Sequence, residues 1–114
     1  MELKSRSTTD GQIAILELAG RFDAFEVPPV KEWLKNVSVA PPAQVVVNLA
    51  HVHFIDSSGL SSLVQGMKHC RQHEGNLHLC GLQQPVQIIF ELTRLDKAFD
   101  IFASEDEAIG AFFN

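Results

Sequence analysis

The sequence predicts an α/β fold: one domain with a mixed, mostly parallel β-sheet of about five strands, an N-terminal edge hairpin, and four α-helices packed against it. Three observations carry this. Strand-patterned and helix-patterned segments alternate after the first two strands, the order that right-handed crossovers between parallel strands produce. The run Val45-Val46-Val47-Asn48-Leu49 is apolar almost throughout and β-branched, as a central strand covered on both faces reads. Asp10-Gly11 is a strong turn signal between two strand patterns, so the first two strands form a hairpin and make the sheet mixed.

Leu3 to Ser7 reads as the edge strand. Gln12 to Ala19 is the second, with Ile13, Ile15 and Glu17 on one face and Ala14, Leu16 and Leu18 on the other. Gly20-Arg21-Phe22-Asp23 closes it. Pro28-Pro29 breaks a helix interior but is tolerated in a first turn. Val30, Trp33, Leu34 and Val37 then form an apolar stripe at helical spacing, and Pro41-Pro42 end that element. After Val45–Leu49 and the short segment His51 to Ile55, Leu60, Leu63, Val64 and Met67 recur at i, i+3, i+4 and i+7. This second helix runs from about Ser57 to His73 and stops at Gly75, a natural C-terminal residue. Leu77-His78-Leu79-Cys80 alternates as a fourth strand. Gln84-Pro85 opens a third helix carrying Val86, Ile89, Phe90 and Thr93. Phe99 to Phe102 is a short last strand. Ser104-Glu105-Asp106-Glu107 is a capping box that starts a terminal helix with Ala108, Ile109 and Phe112 on one face.

Composition narrows the function. The 114 residues fit one domain, residues 1–114, and the 46% hydrophobic content is enough for a real core. Nine Lys plus Arg against fourteen Asp plus Glu gives 9 − 14 = −5, and no basic run exists, so nucleic acid is a poor partner. No apolar run approaches the roughly 20 residues of a membrane span, so membrane insertion is not expected. Residues 1–7 have no apolar signal-peptide core. Cys70 and Cys80 read as reduced, half-buried thiols, and the whole reads as a cytoplasmic protein that is monomeric when free.

The chemistry concentrates at Asp56-Ser57-Ser58-Gly59-Leu60, where a buried strand gives way to a helix. A hydroxyl there can cap the helix. It is also one phosphoryl group away from becoming an anion beside the positive end of the helix dipole. Ser57 is the first candidate for phosphorylation and Ser58 the second. Catalysis fits poorly: G-x-S-x-G is absent, and no His has an obvious place as a base for Ser57. His69 with His73, or His51 with His53, could be half of a zinc site, but no Glu stands between the helical pair in the H-E-x-x-H sense, and solvated histidines at the polar end of the helix surface explain that pair. Neither nucleotide-binding glycine motif is present. No cofactor and no metal are expected.

Val45-Val46-Val47-Asn48-Leu49 followed by Phe54-Ile55-Asp56-Ser57-Ser58-Gly59-Leu60 resembles the signature of the STAS domain, most closely that of stand-alone bacterial anti-sigma factor antagonists. Gly20-Arg21-Phe22-Asp23 is similar to the family's G-x-hydrophobic-D at the end of the second strand. Leu79-Cys80-Gly81, Pro85-Val86 and Phe90 match its later strand, proline and helix pattern. The resemblance covers essentially the whole chain. It implies a binding module rather than an enzyme, working by partner switching. The unphosphorylated form binds an anti-sigma factor with serine kinase activity and so frees a sigma factor. Phosphorylation of Ser57 weakens that complex, and a serine phosphatase of the metal-dependent type restores it. The implied partner surface comprises Asp23, Phe22, Phe25, Asp56, Ser57, Ser58, Gly59, Ser61 and Ser62. For Asp23 the plain structural role is to cap the first helix or tie down its loop. For Phe22 and Phe25 it is core burial, and for Gly59 a tight helix start. Glu26-Val27-Pro28-Pro29, and His51 with His53, depart from what many relatives carry. The alternative within the same fold is a small STAS subunit docking on the ATPase of an ABC-type transport complex.

Overall fold

The computed structural model describes residues 1–37 and 40–113. It contains strands β1 (Glu2–Ser7), β2 (Ile13–Phe22), β3 (Gln44–Ile55), β4 (Asn76–Cys80) and β5 (Asp100–Phe102). Helices α1 (Val27–Val37), α2 (Ser57–Gln72), α3 (Gln84–Leu92) and α4 (Glu105–Gly110) alternate with them from β2 onward. Two short 3-10 turns, Leu95–Lys97 and Ala111–Phe113, were not expected from the periodicity.

The sheet order is β1-β2-β3-β4-β5. β1 runs antiparallel to β2, and β2, β3, β4 and β5 are mutually parallel. This is the mixed α/β sheet that the alternation predicts. The two apolar segments around Ala50 are one continuous strand, β3, and the register against β2 slips between Glu17 and Ala19 and again between Gly20 and Arg21. The extra residues there re-aim side chains near the C-terminal ends of both strands, as strand bulges do.

The two faces are covered unequally. Leu16, Leu18, Phe22, Val45, Val47, Leu49, Leu77 and Leu79 pack on one face against Val30, Leu34, Leu63, Met67, Val86 and Phe90 of α1, α2 and α3. On the other, Ile13, Ile15, Val46 and Cys80 pack against Ala108, Ile109 and Phe112 of the C-terminal segment. β4 is buried from Leu77 to Cys80, not half-buried as alternation suggests. His78 lies under Phe112, ring centroids 3.8 Å apart and 8° from parallel, and its Nδ1 lies 2.8 Å from the Ala108 carbonyl oxygen.

The thiols are likewise deeper than expected. Both are free and fully buried, and desolvation pushes Cys70 up to about 11 and Cys80 up to about 12. They belong to the cores on opposite faces of the sheet.

Gly75 does not end α2 in the way its identity suggests. The left-handed position is taken by Glu74, at φ 62°. Gly75 follows it and donates its N–H to the Cys70 carbonyl at 2.9 Å, the six-to-one bond of a Schellman ending. Its missing side chain serves a different need, since a Cβ there would sit 1.9 Å from the Ala43 carbonyl oxygen. At α4 the Ser104 hydroxyl accepts from Glu107 N–H at 3.2 Å, and Glu107 reaches back to Ala103 N–H at 3.2 Å, one residue beyond the usual capping-box target. No helix among the described residues is long and apolar enough to cross a membrane.

Candidate functional site

The site lies where β2 and β3 end beside one another. Phe22 pairs with Ile55 in the sheet, and the chain turns away into α1 and α2 respectively. Asp23 organises the first exit. Its carbonyl accepts from Glu26 N–H at 2.9 Å, and its carboxylate accepts from Phe25 N–H at 3.1 Å. A short acidic side chain that bonds the backbone two residues on is how such a turn is held. The loop tied by Asp23 projects Phe25 into solvent with 90% of its surface exposed. Arg21 flanks it, with its Nε 3.7 Å from Asp23 and its guanidinium 3.9 Å over the Phe54 ring.

Asp56 organises the second exit. The helix cap is this aspartate and not a serine: its Oδ1 accepts from Gly59 N–H at 2.9 Å. Its Oδ2 accepts from Ala24 N–H at 3.1 Å, so one carboxylate ties the α2 start to the Phe25 loop. An aspartate immediately before a helix-periodic run is itself a capping signal, and the serine pair beside it obscured that signal.

With the cap supplied by Asp56, both serines fall inside the first turn. Ser57 is exposed and Ser58 half-buried, and neither hydroxyl makes a hydrogen bond among the described residues. Ser61 is exposed one turn further on.

Three expected surface residues lie underneath instead. Phe22 is fully buried, because it occupies the inward register of β2. Ser62 is 2% exposed, and its hydroxyl donates to the Gly59 carbonyl at 2.7 Å. Gly59 is buried against β2, where a Cβ would lie 2.7 Å from the Phe22 carbonyl oxygen and 2.8 Å from Ile55. Gly59 therefore sets how closely α2 approaches the strand ends. The exposed members are Phe25, Ser57 and Ser61, with Asp23, Asp56 and Ser58 partly exposed.

Ala24, Val27, Pro28, Lys31, Ser57, Ser58, Ser61 and Ser62 line an open groove of ≈ 470 Å³ between α1 and α2. Periodicity did not single out Lys31, which the face of α1 brings opposite the serines. The histidine pairs stay apart from the groove's serine end. The His69 and His73 rings lie 4.6 Å apart, tilted by 38°, while His51 sits 3.9 Å from Glu17 on the sheet. No group of three His, Cys, Asp or Glu side chains able to hold a metal occurs among the described residues.

The profile of the STAS domain family matches residues 5–108. An anti-sigma-B factor antagonist of Listeria monocytogenes is 34% identical over 110 residues, which cover 96% of this chain and 94% of that protein. Among solved structures, an anti-sigma-factor antagonist (STAS) domain protein from Planctomyces limnophilus superposes with a TM-score of 0.87 at 21% identity, over 98% of each chain. The Bacillus cell fate determinant SpoIIAA in its phosphorylated form gives 0.74 at 20% identity, over 96% of this chain and 98% of that one. The two structural likenesses speak to the fold, the sequence match to descent. This chain belongs to the STAS domain family.

Proposed function

We propose that the chain is an anti-sigma factor antagonist that acts by partner switching through Ser57. Its unmodified form binds an anti-sigma factor with serine kinase activity in the cytoplasm, and so frees a sigma factor. Phosphorylation of Ser57 weakens the complex, and a serine phosphatase of the metal-dependent type reverses it. The chain itself is a binding module without catalysis or cofactor.

One observation carries this reading. The Ser57 hydroxyl stands exposed in the first turn of α2 and has no structural task, because Asp56 does the capping. A side chain without a structural bond can be modified without loosening the fold. A phosphate adds about −1.5 to −2 charge at pH 7 and is well placed near a helix N-terminus. The cost falls on whatever partner surface covers the neutral hydroxyl, and about 1.4 kcal/mol is already tenfold in affinity. Phe25 beside it supplies an exposed aromatic of the kind that anchors interfaces.

The test is affinity capture from the native cytosol with wild type, Ser57→Ala and Ser57→Asp as baits. A kinase-type partner retained by the first two and lost by the third supports the switch. Equal capture of a transport ATPase by all three would move the chain to a transporter subunit and leave Ser57 a bystander.

A further inference from the structure

We propose that Lys31 is the internal counter-ion for a phosphate on Ser57, so that modification joins α2 to α1 across the groove between them. The proposal rests on the reading of Ser57 as a modification site and says what the fold does with the phosphate.

The groove is the ground for it. Its lining of Ala24, Val27, Pro28, Lys31, Ser57, Ser58, Ser61 and Ser62 contains one cation and no carboxylate, on a chain whose net charge is −5. The nearest acid in sequence, Asp56, is held by two backbone N–H groups and is turned to the cap and the Phe25 loop. Lys31 has no ion pair among the described residues. It also lines a second, contiguous groove of ≈ 260 Å³ with Leu34, Lys35, Ser62, Gln65, Gly66 and His69. Lys35 lines the second groove and is not among the residues lining the first. Lys31 is thus the one cationic residue that lines the same groove as Ser57, from the opposite wall, on a long stem able to swing between the two grooves.

A phosphate at Ser57 would add its charge to a groove that Lys31 already lines as its one cationic residue. Two consequences follow. The ammonium stops being available to a docked partner, and the α1 face next to Phe25 changes its charge at the same moment as the serine. One modification therefore alters both walls of the proposed partner surface.

The experiment uses the full chain with phosphoserine installed at position 57 during synthesis, so it does not depend on any natural kinase. The phosphate is titrated by phosphorus NMR in wild type, Lys31→Arg, Lys31→Met and Lys35→Met. A neighbouring cation favours the dianion, so its midpoint falls below the usual phosphoserine value of about 6. The expected result is a midpoint in wild type, Lys31→Arg and Lys35→Met at least about half a unit below that of Lys31→Met. Lys31→Met titrating with wild type would overturn the proposal. On the unaltered side chain, the Lys31 Cε resonance should follow the phosphate titration while that of Lys35 stays flat; a silent Lys31 would overturn it equally. Failure here would leave the affinity-capture result standing, and failure of that capture would leave this titration standing.

Discussion

The carboxylate of Asp56 accepts from the backbone N–H of Ala24 at 3.1 Å, across 32 residues of sequence. Its other oxygen caps α2 through Gly59 N–H at 2.9 Å. One side chain therefore fixes the position of the serine turn relative to the Phe25 loop. Asp56→Ala should cost about 1–2 kcal/mol, the sum of a lost cap and a loosened loop. Asp56→Asn should lose roughly half of that, since asparagine keeps a capping carbonyl but turns a donor toward Ala24 N–H. Urea unfolding gives the energies. Amide exchange at Ala24 should rise in both variants, and at Gly59 in the alanine variant only.

The two phenylalanines separate stability from binding. Phe25 is 90% exposed, so Phe25→Ala should leave unfolding within about 0.5 kcal/mol of wild type. An exposed aromatic anchor is worth more to an interface, and the same change should weaken capture of the partner about tenfold or more. Phe22 is fully buried, and Phe22→Ala should destabilise by about 3–5 kcal/mol. Equal binding by wild type and Phe25→Ala would remove that loop from the partner surface.

The end of α2 offers a pair of opposite effects. Glu74 holds φ 62°, which a side chain disfavours, so Glu74→Gly should stabilise by about 0.5–1 kcal/mol. Gly75→Ala should do the reverse and by more, because its Cβ would press on the Ala43 carbonyl 1.9 Å away. Thermal midpoints that move in the same direction for both would refute this assignment of the two roles.

Glu105 ties three elements together. It accepts from Asn48 Nδ2 at 2.9 Å and pairs with Arg6 of the edge strand. Burial would raise its carboxyl, but the bonds from Asn48 and Arg6 outweigh burial and hold it below its ordinary value of 4.5. A carboxylate depressed in the folded state adds stability above its unfolded value and loses it as pH falls through the folded one. Wild type should therefore lose up to about 1 kcal/mol from this group as the solution is acidified below about pH 4.5, and Glu105→Gln should show a flatter profile there. Urea midpoints at stepped pH read the slope directly.

Much of this architecture was legible because the signals were local and periodic. Leu60, Leu63 and Met67 mark α2, Ser104 marks α4, and Asp10-Gly11 marks the hairpin, each through neighbours a few residues away. What was hidden depends on pairs distant in sequence. Phe22 and Phe25 look alike in the chain, and the register of β2 alone decides that one is core and the other exposed. The burial of His78 depends on a C-terminal turn some thirty residues later closing over β4. Asp56 was visible as an acid beside the serines, yet its reach to Ala24 requires β2 and β3 to end side by side.

The last prediction concerns Ser57 and separates a switch from a structural serine. Its hydroxyl bonds to nothing among the described residues, so Ser57→Ala should change unfolding by less than about 0.5 kcal/mol. Ser57→Asp places a negative charge in the first turn of α2, where the dipole favours it. It should be neutral or stabilising by about 0.3–1 kcal/mol. Both variants therefore fold as well as wild type, and any loss of partner binding by Ser57→Asp must act at the interface. Phosphoserine carries more charge than aspartate and should weaken the complex further, with each tenfold step in Kd corresponding to about 1.4 kcal/mol. Calorimetric titration of the captured partner against wild type, Ser57→Asp and the phosphoserine form measures this order. If Ser57→Asp destabilised the fold as much as it weakened binding, Ser57 would be a structural residue and the switch would lie elsewhere.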